Sequence, residues 1–461
     1  MNHIINAQQT FFLTNTTKKI AFRVQQLKKL KNILQQNETL LYKAIYTDFK
    51  KSEFETYTSE LGLVYAEIDE ACKKVKKWAK YKRVKTNLLN IPSKSYIVPE
   101  PLGVCLVIGA WNYPYLLSLA PVIAAIAAGN TIILKPSELP IHTSNVIAKL
   151  INENFEPQFF KVIEGGVPET TALLKLKFDK IFFTGSVPVG RIVNLAAAKN
   201  LTPVTLELGG KSPAIITEKS KLKIIVQRLV WAKFLNAGQT CIAPDYVFVH
   251  KSIKDQFIKL VKAAIEKSNY SFKNENYVQI INTTNFNRLI ALIDKTKVII
   301  GGEYNQETRY ISPTILTNVS FDDAIMQKEI FGPILPIISY TNLDEVIKKI
   351  KTKPKPLACY LATNNTSIKK KIVHELSFGN GAINDSVMQI INNNLPFGGV
   401  GESGTGSYHG EFGFKTFSHY KSILDKKTWI EPNLKYYPYT NRKFQLIKIL
   451  QNGISKFKSK K

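Results

Sequence analysis

Pro101-Leu-Gly-Val-Cys-Leu-Val-Ile-Gly-Ala-Trp-Asn-Tyr-Pro114 opens a stretch that runs to Leu134 without one formally charged side chain. That length could span a bilayer, which takes about 20 apolar residues. However, Pro101, Gly103, Gly109, Pro114, Pro121 and Gly129 interrupt it, and Asn112 and Asn130 lie within it. A lipid-facing helix would have to re-satisfy the backbone groups freed at each break, so a buried strand–turn–helix–strand unit is the better reading. Residues 103–108 are rich in Val, Leu and Ile, as in a strand covered on both faces. Residues 109–114 make a turn, and 116–128 a buried helix stopped by Gly129-Asn130. Residues 131–134 form the next strand and lead into Lys135-Pro-Ser-Glu138. Two parallel strands joined by a crossover helix make a βαβ unit.

The same alternation continues outward. A strand-like run at residues 180–184 precedes the glycine loop Phe183-Thr-Gly-Ser-Val-Pro-Val-Gly190 and a helix from Val189. After Val204 come a strand at 213–217, a helix at 221–236 and a strand at 246–250. Strands alternating with helices predict an open α/β sheet. Residues 7–80 carry helical periodicity, with apolar positions every three to four residues between Ser59 and Ala71. The lysine-rich run at 73–85 is interleaved with Val75 and Trp78 and reads as a charged helix face. Past Asn394 the chain is glycine-rich, Pro396-Phe-Gly-Gly-Val-Gly-Glu-Ser-Gly-Thr-Gly-Ser-Tyr-His-Gly410, which alone predicts only a loop. There is no internal repeat.

A chain of 461 residues with 44% hydrophobic residues can bury a large core and suits two domains. The four cysteines include no CxxC pair, and the six histidines include no HxxxH pair. Reduced thiols, a cytoplasmic setting and no metal are therefore expected. The N-terminus lacks the pattern of a secretory signal. The formal charge of +28 comes almost wholly from lysine, with only seven arginines. Nucleic-acid sites favour the bidentate guanidinium, and no nucleic-acid motif is present. A solvated basic surface is expected, with no specific nucleic-acid partner.

Four features carry candidate chemistry. Cys241 ends Phe234-Leu-Asn-Ala-Gly-Gln-Thr-Cys241, beyond a helix-to-loop transition at Gly238. It reads either as a buried inert thiol or as a nucleophile activated by its surroundings. Glu207 sits in Val204-Thr-Leu-Glu-Leu-Gly-Gly-Lys-Ser-Pro213, between two leucines. It is either salt-bridged to a lysine or a desolvated general base. The loop at 183–190 is placed to hold a phosphate at a helix N-terminus, although it is not the GxGxxG fingerprint. Lys135, at a strand end, is either a ribose or phosphate ligand or a surface lysine.

Taken together and in order, these segments resemble the aldehyde dehydrogenase superfamily over about residues 10–430. The matching pieces are Pro101-Leu-Gly-Val, Trp111-Asn-Tyr-Pro, Gly129-Asn-Thr, Lys135-Pro-Ser-Glu, Phe183-Thr-Gly-Ser, Leu206-Glu-Leu-Gly-Gly-Lys-Ser-Pro, Gly238-Gln-Thr-Cys, Glu329-Ile-Phe-Gly-Pro and Pro396-Phe-Gly-Gly-Val-Gly. The Trp-Asn-Tyr-Pro turn and residues 407–419 resemble the class 3 branch, which includes fatty aldehyde dehydrogenases. The resemblance implies an open Rossmann-like parallel sheet for the dinucleotide, a second α/β catalytic domain and a small β oligomerisation extension. The implied boundaries are 1–80 and 99–206 for the NAD(P)-binding domain and 207–394 for the catalytic domain. Bridging segments are implied at 81–98 and 395–430, and a basic tail at 431–461.

The resemblance also implies roles. Cys241 matches the nucleophile, Asn112 an oxyanion donor and Glu207 the base that activates water. Lys135 and Glu138 match groups at the adenosine ribose, and Gly185, Ser186 and Gly190 the loop beside the pyrophosphate. Glu329 and Phe331 match residues at the nicotinamide ribose and ring. An aldehyde substrate, a homodimer, and NAD in preference to NADP follow from the same resemblance, because Glu138 would repel a 2′-phosphate. Departures are Pro188 in the cofactor loop and a shortened stretch at 271–279. A thioester passed to CoA instead of water is the alternative outcome; a catalytically silent scaffold is the other. The tail at 442–461 repeats Phe444, Ile447, Leu450, Ile454 and Phe457 among seven basic residues, interrupted by Gly453. It is either a helix packed within a dimer or a peripheral contact with an anionic membrane.

Overall fold

The computed structural model describes residues 1–271, 273 and 277–458, with the backbone alone over 452–458. Residues 272 and 274–276 of the shortened stretch, and the side chains of Gly453, Ile454 and Phe457, lie outside the described residues. By its contacts the chain divides into two units: residues 1–75 with 101–417, and residues 76–100 with 418–461.

The first unit is built on two sheets. One has six strands in the order Gly404–Thr405, Val204–Glu207, Lys180–Thr184, Val104–Ile108, Thr131–Lys135, Phe160–Val162. All its pairings are parallel except that of Gly404–Thr405, which runs antiparallel to Val204–Glu207. The charge-free stretch folds at its centre, with all five residues of Val104–Ile108 buried. Alternate side chains point to opposite faces. Val104, Leu106 and Ile108 join Ile5, Leu173, Val193 and Ala197 in one core, so helices Asn2–Leu13, Val167–Leu174 and Val187–Ala198 cover that face. Helix Pro114–Ala128, buried almost all round, covers the other.

Buried polar groups hold that helix at both ends. Gly129 ends it at φ 97°, and Asn130 satisfies the freed backbone by accepting from Gly103 N at 2.9 Å and donating to Ala125 O and Phe417 O. Arg23 donates to Ala127 O at 3.0 Å, a cation at the negative end of the helix dipole. At the other end the Glu60 carboxylate accepts from Tyr115 N at 2.8 Å and Leu116 N at 3.3 Å. Its second oxygen takes Lys51 Nζ at 2.7 Å, with both side chains wholly removed from solvent.

The second sheet has seven strands in the order Val298–Ile300, Thr314–Leu316, Ile334–Tyr340, Tyr246–His250, Pro213–Ile216, Ala358–Ala362, Asn380–Ile383. Only the edge strand Val298–Ile300 is antiparallel to its neighbour. In the second unit, Lys82–Val84, Ser93–Pro101 and Ser418–Lys426 make a three-stranded sheet, and Asn441–Lys458 is a helix. The segment expected to bridge at 395–430 is therefore divided. Its first part adds a strand to the dinucleotide-type sheet, and its second part belongs to the small β unit. The helix expected at 221–236 is Leu222–Phe234. Among the described residues no helix is long and apolar enough to cross a membrane.

Removing one partner of a fully buried ion pair leaves the other charge uncompensated, at a cost of about 3–5 kcal/mol. Lys51→Met is expected to lower stability by that order in urea denaturation, and Lys51→Met with Glu60→Gln to recover much of the loss. An unchanged midpoint for the single variant would show that the pair holds nothing.

Candidate active site

The parallel strands of the first sheet end at Ile108, Lys135, Thr184 and Glu207, and all four residues line one cleft of about 1390 Å³. Ligand sites of open α/β sheets lie at this carboxyl edge. The same cleft is lined by Asn112, Cys241, Glu329 and Phe331. Glu138, Gly185 and Ser186 line it too, whereas Gly190 is not part of the lining and packs against Leu208.

The Cys241 loop is held by backbone geometry that few residues adopt. Helix Leu222–Phe234 stops, and Asn236, Ala237 and Gly238 follow at φ 53°, 52° and 71°. A Cβ on Gly238 would collide with the Gly332 carbonyl oxygen, so only glycine fits there. Gln239, fully buried, locks the turn. Its Nε2 donates to Asn236 O and Gln279 O, and its Oε1 accepts from Ile281 N at 3.0 Å. Asn112 Nδ2 donates to Gln239 O at 3.1 Å, while Asn236 Nδ2 donates to Asn112 O at 2.8 Å. Next to Cys241, Thr240 Oγ1 meets Tyr113 OH at 2.6 Å. Cys241 itself is half-buried, whereas Cys105 and Cys359 are buried.

Glu207 ends its strand with 3% of its surface exposed, and neither carboxylate oxygen has a hydrogen-bond partner. The salt-bridged alternative is therefore not what the structure contains. Burial alone pushes its pKa well above the ordinary carboxylate value. Burial, and then Asp245, push Glu329 up to about 8 against the opposing Gly210 N–H, Lys211 and Arg288. Burial, and then the carboxylates Glu329 and Glu207, push the Cys241 thiol up to about 12, although the N–H groups of Cys241 and Ile242 pull it down. Two carboxyl groups poised as acids or bases and a thiol beside backbone and amide donors can carry out acyl chemistry.

The other arm of the cleft fits a dinucleotide. Lys135 is buried rather than superficial, and its Nζ meets Glu138 Oε2 at 3.0 Å. Burial raises the Glu138 pKa, but its own N–H and Lys135 outweigh that and hold it below its ordinary value. An ionised carboxylate beside an ammonium suits ribose hydroxyls. Helix Val187–Ala198 starts at this edge, and Ser186 makes no side-chain cap to it. Its first turn is left to attract an anion. Gly185 lies against the Phe183 ring, and Gly190 against Leu208, where any Cβ would clash. Val167, Val189 and Ile192 are exposed along this arm and offer apolar faces for a planar base. Phe331, at φ 53°, packs edge-on against Trp111 with ring centres 5.4 Å apart.

The profile of the Aldehyde dehydrogenase family matches residues 1–423. The chain belongs to the aldehyde dehydrogenase family. Among its relatives, a 4,4′-diaponeurosporen-aldehyde dehydrogenase of Staphylococcus aureus is 47% identical over 95% of this chain and 96% of the relative. Aldehyde dehydrogenase family 3 member A2 of Pongo abelii is 45% identical over 94% of this chain and 90% of its own. A solved structure described as the substrate-bound state of Staphylococcus aureus AldH superposes with a TM-score of 0.95 at 45% identity, covering 97% of this chain and 98% of that one. These relatives are of the class 3 branch that Trp111-Asn-Tyr-Pro114 resembles. The protein is an oxidoreductase acting on aldehydes, which it oxidises to acids with NAD or NADP.

The sequence reading of this dehydrogenase missed three groups around the cleft. Gln239 and Asn236 form the hydrogen-bonded frame of the loop. Two amides flanking a glycine at a helix end were the available signal, since buried amides need partners. Thr184, whose buried Oγ1 has no partner, lay unremarked inside Phe183-Thr-Gly-Ser. The pair Lys51–Glu60 comes from a helical region with no motif at all.

The elevated thiol pKa of the cofactor-free dehydrogenase has a kinetic consequence. Alkylation of Cys241 by iodoacetamide, followed by mass spectrometry of its peptide, should rise about tenfold per pH unit between about pH 7 and 9, because only the thiolate reacts. A rate already level below pH 8 would mean that the thiolate forms without help.

Proposed function

We propose that this dehydrogenase oxidises a hydrophobic aldehyde through a covalent thioester on Cys241 and releases the free acid. The observation that carries the proposal is the unpartnered, buried carboxylate of Glu207 in the same cleft as Cys241 and Asn112. The Cys241 thiolate attacks the aldehyde carbon and forms a thiohemiacetal. Asn112 has two amide hydrogens, one of which is given to Gln239 O. The other, with the Cys241 N–H, donates to the oxyanion. A nicotinamide dinucleotide, when bound, would supply the acceptor for the hydride whose loss leaves the thioester on Cys241. Glu207, ionised at the pH where it works, takes a proton from water; the hydroxide adds to the thioester carbonyl, and the carbon–sulfur bond breaks to release the acid and return Cys241 as the thiolate. Lys135 and Glu138 would hold the adenosine ribose, and Gly185, Ser186 and Gly190 would belong to the loop and helix start beside the pyrophosphate. Glu329 and Phe331 would hold the nicotinamide ribose and ring. The charge on Glu138 favours NAD over its 2′-phosphorylated form.

Phe54, Leu63, Trp231, Leu235, Met388 and Ile391 line the rest of the cleft, and this apolar wall supports an aliphatic or aromatic aldehyde of medium to long chain. A homodimer is the proposed assembly. The tail from Asn441 is the candidate for contact with an anionic membrane, and liposome co-sedimentation with and without residues 442–461 tests it.

Glu207→Gln should stop turnover after one equivalent of reduced cofactor and leave the acyl group on Cys241, visible as a mass increase. Because the Glu207 pKa is raised, its basic form grows as pH rises, so hydrolysis should accelerate above neutrality in the native enzyme and lose that dependence in the variant. Asn112→Ala should lower kcat by about 10²–10³. Acyl-CoA formed in preference to free acid, when CoA is supplied, would overturn the hydrolytic assignment. A panel of hexanal, long-chain aldehydes and benzaldehyde distinguishes the substrate classes.

A further inference from the structure

Glu329 has no helix or strand of its own to hold it, since it lies in a loop between the short helical turn Ala324–Met326 and strand Ile334–Tyr340. What holds that loop is a pair of charges outside it. Lys211 Nζ donates to Ile325 O at 2.8 Å and to Lys328 O at 3.1 Å. It also meets the Asp245 carboxylate, and both side chains are nearly removed from solvent. Asp245 Oδ1 accepts from Ile330 N at 2.9 Å. The two charges therefore grip the backbone on either side of Glu329, one through the carbonyl before it and one through the N–H after it. Both come from segments that carry other site residues. Lys211 lies four positions after Glu207, and Asp245 four after Cys241; Asp245 N donates to Ser212 O at 2.8 Å to join the two. Gly209 is the floor, because a Cβ there would strike the Glu329 carboxylate.

We propose that the Lys211–Asp245 pair is a positioning clamp that holds the Glu329 carboxylate in the cleft that Cys241 also lines, and thereby sets the reactivity of that thiol in the empty enzyme. The proposal rests on the reading that Glu329 stands at the nicotinamide ribose. It adds a role for the same carboxylate in the empty enzyme and names the residues that set it. Charged and titratable groups acting on Glu329 are Asp245, Lys211, Arg288 and Lys233. Those acting on Cys241 are Glu329 and Glu207, with Tyr113, Tyr360 and Tyr408 around it. Asp245 shifts Glu329 and is not among the charges that shift Cys241.

That indirect route gives the clamp a signature of definite sign. If Glu329 stayed in place, removing the Asp245 charge would favour its ionised form and slow Cys241 alkylation further. If Asp245 is a clamp, its loss releases the Glu329 carboxylate from Cys241, and alkylation becomes faster. The experiment is the pH profile of Cys241 alkylation by iodoacetamide in full-length, cofactor-free protein, for the native chain, Asp245→Asn, Lys211→Gln, Glu329→Gln and Asp245→Asn with Glu329→Gln. Asp245→Asn, Lys211→Gln and Glu329→Gln are each expected to raise the rate about twofold at pH 8, where Glu329, with its pKa pushed up to about 8, is half ionised, and toward tenfold near pH 10, where it is fully ionised. The double variant should be no faster than Glu329→Gln alone. Lys211→Arg, which restores the cation, should return toward the native rate. If Asp245→Asn does not fold, Asp245→Ser is the variant whose sign decides, because loss of Lys211 favours neutral Glu329 and speeds alkylation even with the carboxylate in place.

A native or slower profile for the folded clamp variants overturns the proposal, even where their thermal midpoints fall. Binding of reduced cofactor, followed by its fluorescence, separates this from the underlying reading. If Glu329→Gln accelerates alkylation while cofactor affinity is unchanged, the clamp stands and the ribose assignment fails. If Glu329→Gln changes neither, both fail.

Discussion

The Glu60 carboxylate, removed from water and shared between an ammonium and a helix, is the constraint on which the rest of the first unit depends. One oxygen takes Lys51, and the other takes the first N–H groups of helix Pro114–Ala128. A buried carboxylate at that end is favoured by the helix dipole and by charge-assisted hydrogen bonds. It is tolerable at such burial only because Lys51 balances it. The helix start is thereby fixed, and with it the turn that carries Asn112 and Tyr113. Lys51 Nζ also lies 4.0 Å from the centre of the Tyr113 ring, whose hydroxyl reaches Thr240 beside Cys241. A charge pair outside the cleft thus sets the position of groups inside it.

Within the cleft, desolvation works on the chemistry directly. It raises Glu207, Glu329 and Cys241 together, so all three favour their neutral forms more than they would in water. For the carboxyl groups this brings proton affinity toward the range where a base is effective near neutrality. For the thiol it does the opposite and suppresses the nucleophile. The N–H groups of Cys241 and Ile242 oppose this by hydrogen-bonding to the thiol, which lowers its pKa. The reactivity of the thiol consequently depends on how the neighbouring carboxylates are charged and placed.

How much of this was legible in the sequence follows from how local each determinant is. The βαβ unit at 103–135 was readable because a run of Val, Leu and Ile, a glycine stop and a second apolar run are all contiguous signals. Cys241, Glu207 and Asn112 were legible only as an ordered set, since each alone had a plain structural reading. The strand Gly404–Thr405 was not legible: two residues in a glycine-rich stretch carry no periodicity, and their pairing with Val204–Glu207 depends on chain 200 residues away. The left-handed run at Asn236 and Ala237 was hidden for another reason. Asn tolerates that conformation and Ala does not favour it; the strain is sustained by the buried Gln239 amide and by Glu55, which accepts from Asn236 N at 2.8 Å. Neither partner is a neighbour by any periodic rule. Lys51 and Glu60 meet because Lys51 lies in the break between helices Glu38–Phe49 and Glu53–Thr56, and Glu60 lies in the π-helical turn Tyr57–Leu61 that follows.

The segment 206–213 shows why the motif is so dense. Glu207 closes a strand of the first sheet, and Pro213 begins a strand of the second, so the chain crosses between sheets in the residues between them. In that crossing Gly209 admits the Glu329 carboxylate, and Gly210 lies where a Cβ would be 2.9 Å from Leu357 N. Lys211 then turns back to grip the carbonyls beside Glu329, and Ser212 O receives Asp245 N. The two glycines are there for close approach and not for flexibility, since neither has a positive φ. A larger residue at either position would move the Glu329 loop or the second sheet, while a change of length would break the registry between Glu207 and Lys211. The base, the floor under its neighbouring carboxylate and the cation that holds that carboxylate in place are therefore one continuous structure, and none can shift without the others.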